Sequence, residues 1–174
     1  MVSEIIVCAR FFTGLVFLFS GLSKLVARRT FLVTIQSYDF VPRRHMEAVT
    51  YAVITIETAL GIALTTGHPK VGRASMFLAM LLLLCFTVLV ASVIRRGLKV
   101  DCGCFASIGR AATATTIWRN LGLVLVAALG CQFAPAVSWK MSVPLRVLAG
   151  EGLLLFVLID LLIGLRAVIK ERSA

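Results

Sequence analysis

Two thiols stand two residues apart in Asp101-Cys102-Gly103-Cys104-Phe105, a short segment between very apolar stretches. Thiol–disulfide exchange is the chemistry that such a pair suits best. A disulfide across one intervening residue closes a small, strained ring, and strain raises the reduction potential, so the bond exchanges readily. Gly103 supplies the backbone freedom that closure needs. The thiolate is the reactive form, and Arg95, Arg96 and Lys99 favour it while Asp101 opposes them. Nothing in the segment decides which thiol attacks. Three other readings compete: two idle small residues, a pair of lipidated juxtamembrane cysteines, and soft-metal ligands for Cu(I) or zinc. Tetrahedral zinc needs about four ligands, and only His45 and Asp101 are obvious additions, so no metal site is assigned.

The other cysteines lie in apolar runs. Cys85, in Leu82-Leu83-Leu84-Cys85-Phe86, reads as packing. Cys8 and Cys131 fall near the outer ends of their helices and form a second candidate thiol pair, across the membrane from the first. Intramembrane charges are the next chemical signal. Each costs about 2.5–3.5 kcal/mol on insertion scales and so needs a partner or a water path. Arg10 and Glu57 fall in the outer halves of adjacent antiparallel helices and are expected to pair. The bland role of such a pair is to fix helix register; a proton or quinone role is the sharper alternative. Asp160 sits toward the inner end of the last span, within reach of Arg119 or Lys24, and Glu151 lies near water. No cofactor is assigned by these residues, and a quinone is the one to consider.

These residues must be positioned by helices. The chain has 174 residues, 60% of them apolar, and a mean hydropathy of +1.00, where soluble domains carry about 45–50% apolar residues. Ala74–Ile94 and Asn120–Trp139 carry no charge at all. Such runs match a hydrocarbon core of about 30 Å. The expected fold is all-α: one polytopic membrane helical bundle of four to five transmembrane helices, with spans near 5–25, 46–66, 74–94, 117–137 and 147–165. Met1-Val2-Ser3-Glu4 lacks a basic n-region and Ser20-Gly21-Leu22-Ser23-Lys24 is a poor cleavage site, so the first helix is read as uncleaved. Gly14, Gly21 and Gly61 allow close helix approach.

The net charge is +10, but its distribution argues for topology rather than nucleic acid. Arg28, Arg29, Arg43 and Arg44 follow the first span, with Lys24 at its edge. Arg95, Arg96, Lys99, Arg110 and Arg119 follow the third, and Arg166, Lys170 and Arg172 close the chain. Lys70, Arg73, Lys140 and Arg146 are all that the opposite side carries. The basic excess on alternate loops predicts an outside N-terminus and an inside C-terminus. Both long loops then share one face. The first, through Thr30–Pro42, is amphipathic, and is expected to lie in the interface as a lid with Tyr38 and Phe40 at headgroup depth. The second holds the cysteine pair.

With these residues in view, the chain resembles the MauE branch of the DoxX/MauE superfamily. The marks are Arg10; Gly14, Phe17, Gly21 and Lys24 at helical spacing; Tyr38 and Pro42; Glu57; Arg96-Gly97; Cys102-Gly103-Cys104-Phe105; and Arg119-Asn120. Ala106 departs from the glycine that many relatives carry. The resemblance implies a DoxX-like four-helix core plus a C-terminal helix, in a bacterial inner membrane. It also implies a part in maturing the disulfide-rich β (small) subunit of periplasmic methylamine dehydrogenase, beside a thioredoxin-like MauD-type partner.

The leading reading is therefore a membrane redox or maturation factor supporting processing, disulfide formation or transport of a periplasmic client, with Cys102 and Cys104 as the redox pair. Asp101, Gly103 and Phe105 support that pair. A non-enzymatic assembly chaperone and a copper or soft-metal handling protein are the alternatives. One conflict stays open: charge counting puts the cysteine loop in the cytoplasm, whereas the implied client folds in the periplasm. Either electrons cross the bilayer, with Cys8 and Cys131 as outer acceptors, or the span count differs.

Overall fold

A computed structural model describes residues 2–38, 41–66, 72–97, 114–133, 147 and 149–159. Among these residues every regular element is helical: α1 Val2–Val26, α2 Arg28–Tyr38, a 3-10 turn at Arg43–His45, α3 Met46–Thr66, α4 Gly72–Arg95, α5 Ala114–Phe133 and the short apolar α6 Ala149–Ile159. Ile5–Val26, Arg43–Thr66 and Gly72–Arg95 are each long and apolar enough to cross a bilayer. Large apolar side chains such as Leu22, Phe77, Leu81, Val88, Leu125 and Leu154 point outward. Outward-facing leucine and phenylalanine suit lipid rather than water, so the molecule is a helical membrane bundle.

Its centre is made by α1, α3, α4 and α5. Val16 and Phe17 of α1 pack against Leu60 and Leu64 of α3, Met76, Ala79 and Leu83 of α4, and Leu123 and Ala127 of α5. Hydroxyls in these helices turn back on their own backbone. Thr13 donates to the Ala9 carbonyl at 2.8 Å, Thr50 to Met46 at 2.8 Å and Thr87 to Leu83 at 2.7 Å. Each thereby meets its hydrogen-bonding need without water.

The α1–α3 crossing is close because two helices meet through glycine. A Cβ added at Gly61 would lie 2.6 Å from the backbone nitrogen of Leu18 and 3.0 Å from the Gly14 carbonyl oxygen. Backbone cannot step aside as a side-chain tip can. Gly61→Ala is therefore expected to push α1 from α3 and cost about 1–3 kcal/mol. Gly122→Ala, where no heavy atom lies within 4 Å of the added carbon, is the control. It should be neutral or gain about 1 kcal/mol from helix propensity. Denaturant unfolding of the detergent-solubilised protein reads both, and equal effects would refute the crossing.

The first long connection contains a helix. Ala27 is a single turn residue between α1 and α2, and the hydrogen bonds Ala27 N–H to Ser23 O (2.9 Å) and Phe31 N–H to Ala27 O (3.0 Å) carry the ladder across it. Buried Phe31, Thr34 and Ile35 recur at helical spacing. Phe31 and Ile35 pack on Met46 and Ile54 of α3, while Arg28, Arg29 and Val33 stay exposed. The lid expected in this loop is thus an amphipathic helix docked on α3; Phe40 lies outside the described residues. At the far end of α4, Gly97 with φ 67° closes the helix, donating its N–H to the Ile94 carbonyl at 3.1 Å.

Candidate functional site

Among the described residues the chemically richest place is a buried polar cluster where α1 ends against the middle of α3. Phe17, Ser20 and Lys24 follow one another at helical spacing along α1. Lys24 Nζ donates to both carboxylate oxygens of Glu57, at 2.6 Å each, and to Ser20 Oγ at 2.7 Å. All three ammonium protons are thereby used. Lys24 is 3% exposed and Glu57 1%. The Phe31 ring from α2 and the Phe86 ring from α4 stand 5.4 Å and 5.2 Å from Nζ, adding cation–π attraction to a desolvated charge.

Glu57 therefore takes Lys24, not Arg10, and the expected Arg10–Glu57 pair is corrected. The cause is register. Gly14 faces Leu64, Gly61 faces Leu18 and Gly21 faces Thr58, which brings Glu57 opposite the last turn of α1. Arg10 stands fourteen residues earlier, about 21 Å up the helix. There Arg10 is buried, and its Nη2 donates to the Ala63 carbonyl at 3.2 Å. Ala63 is among the last four carbonyls of α3, which have no intrahelical donor, so a cation there also suits the negative helix end. Gly72 opens α4 directly beside that guanidinium, leaving no space for a side chain.

A cavity of about 20 Å³ adjoins the pair, lined by Ser20, Glu57, Arg119 and Asn120 together with Phe17 and Phe86. That volume admits one water-sized guest. Asn120 is 3% exposed, and its Nδ2 has no hydrogen-bond partner among the described residues. An unsatisfied buried amide costs roughly 1–3 kcal/mol. Asn120→Leu should thus leave unfolding stability unchanged or raise it by about 1 kcal/mol; a clear loss would mean that a guest in the cavity satisfies the amide. Arg119 turns toward α6, with its guanidinium 5.9 Å from the Phe156 ring, and Phe156 meets Phe12 edge-on at 5.9 Å.

The thiols divide. Cys102 and Cys104, with Asp101, Gly103 and Phe105, lie outside the described residues, as does Asp160 with its expected contacts to Arg119 or Lys24. Cys8, Cys85 and Cys131 are free; Cys131 Sγ donates to the Arg73 carbonyl at 3.9 Å, and Cys85 is exposed on α4 rather than packed inside. Among the described residues no three His, Cys, Asp or Glu side chains gather as a metal site would require. Sequence reasoning placed Lys24 at the edge of the first span, as a partner for Asp160, and treated Ser20 only as part of a poor cleavage site. The 17, 20, 24 spacing on one face of α1 was the signal that links them.

The chain matches the family model described as methylamine utilisation protein MauE over residues 2–133. It is also 26% identical over 162 residues to the methylamine utilization protein MauE of Paracoccus denitrificans, covering 91% of this chain and 87% of that protein. No solved structure matches.

Proposed function

From the premise that the chain belongs to the MauE family and has a role in methylamine utilisation, we propose that it is a multi-pass protein of the bacterial inner membrane that matures a periplasmic client. The client proposed is the β subunit of methylamine dehydrogenase, and the maturation step is disulfide formation or exchange. The observation that carries this reading is the family match over residues 2–133, which encloses Cys102 and Cys104. In the oxidising direction a client thiolate attacks one sulfur of the Cys102–Cys104 disulfide, giving a mixed disulfide. The second client thiolate then releases the client as a disulfide. Two electrons and two protons end on the Cys102–Cys104 dithiol, and a thioredoxin-like MauD-type partner exchanges with it.

On this reading the buried Lys24–Glu57 pair is scaffold: it locks α1 and α3 beneath the α2 lid. The test is complementation of a deletion strain with the Cys102→Ser/Cys104→Ser protein. Loss of active dehydrogenase at normal membrane levels of the variant is expected. Full activity, where deletion abolishes it, would replace exchange chemistry with the non-enzymatic assembly role.

A further inference from the structure

A second cavity, of about 320 Å³, lies in the corner between α2 and the first turns of α3. Arg28, Arg29, Leu32 and Val33 of α2 form one wall, and Glu47 and Tyr51 of α3 the other. We propose that this corner binds the headgroup of one acidic phospholipid of the phosphatidylglycerol type. Arg28 and Arg29 stand just past the apolar stretch Ile5–Val26, and Glu47 and Tyr51 lie in the first turns of the apolar α3, so the cavity sits where lipid headgroups begin. The Arg28 guanidinium is already held, donating to the Tyr51 hydroxyl and resting 5.3 Å from the Tyr51 ring centre. A fixed guanidinium fork matches phosphate oxygens with little ordering cost.

The walls also fit the rest of such a lipid. Two arginines and one glutamate leave one positive charge, which a phosphodiester with one negative charge balances. The Glu47 carboxylate can accept a hydrogen bond from a headgroup hydroxyl; a choline headgroup has no such donor, and phosphatidic acid has no glycerol to offer. Leu32 and Val33 supply apolar wall for the start of an acyl chain. A lipid seated here bridges α2 and α3, and α2 carries the Phe31 ring that covers Lys24. Lipid binding thereby steadies the lid over the buried ion pair.

The experiment uses the full chain, purified in a neutral detergent and delipidated. Native mass spectrometry and thermal unfolding are followed while phosphatidylglycerol, phosphatidylcholine, phosphatidic acid or inorganic phosphate is added. Phosphatidylglycerol should bind as one retained molecule and raise the unfolding midpoint, with phosphatidic acid weaker. Arg28→Gln/Arg29→Gln should weaken phosphatidylglycerol binding about tenfold or more. Arg29→Gln alone, which leaves the Arg28–Tyr51 contact intact, should weaken it several-fold with an unchanged midpoint in the absence of lipid. Glu47→Ala, which removes the acceptor, should erase the preference for phosphatidylglycerol over phosphatidic acid. Equal binding of phosphatidylcholine, equal stabilisation by inorganic phosphate, or undiminished binding by the two arginine variants would each overturn the proposal.

Discussion

Lys24→Met is expected to destabilise the protein by about 3–5 kcal/mol, because it leaves the Glu57 carboxylate buried without its ion-pair partner. Glu57 sits near the middle of α3 on a short side chain and is 1% exposed, so it cannot swing out to the interface. Glu57→Leu should cost less. Lys24 occupies the last turn of α1, and its four-carbon stem lets the ammonium swing toward the interface once released. The double variant Lys24→Met/Glu57→Leu should recover most of the loss, since two apolar side chains need no partner in a site already walled by Phe31 and Phe86. A double-mutant cycle on unfolding free energy measures this directly. Additive losses would show that the two groups act independently, contrary to the 2.6 Å contacts.

Loss of both thiols of the Cys102–Cys104 pair is expected to abolish client maturation while leaving the protein's stability unchanged, since on the proposed function these residues do chemistry rather than packing. The single variants should differ from each other. In the reducing or isomerising direction, where one thiolate of the pair attacks a client disulfide, replacing the other thiol leaves the client covalently trapped, visible as a high-mass band that reductant removes. Replacing the thiol that first engages the client leaves no such band. A membrane-impermeant maleimide applied to intact cells then reports the side of the membrane. Labelling before permeabilisation places the pair with the periplasmic client, whereas labelling only afterwards requires electrons to cross the bilayer. If both single variants mature the client normally, exchange at this pair is excluded.

Much of the architecture is written locally and was therefore legible in the chain alone. The length and apolarity of an 18- to 25-residue run decide that it forms a helix suited to lipid, so α1, α3 and α4 follow from residues within each helix. The cysteine spacing and the charge of the flanking loops are equally local, and so are the marks Arg10, Lys24, Glu57 and Arg119-Asn120 that carry the family. The amphipathic pattern of Thr30–Pro42 already implied a segment with one covered face, and α2 supplies it through Phe31 and Ile35.

Partners were another matter. Counting positions from the ends of the apolar runs put Arg10 and Glu57 at similar depth. Helices do not align by their ends, however; they slide until their surfaces interlock. Here Gly14, Gly21 and Gly61 let α1 and α3 close to backbone contact at one register, and that register carries Glu57 down to Lys24 and Ser20 and leaves Arg10 at the Ala63 carbonyl. Asn120 joins the same cavity from a helix more than sixty residues further along the chain. Which residues are helical and apolar was settled by the sequence over short range. Which charge meets which was decided only by tertiary packing, because a buried ion pair depends on where two separate helices stop sliding.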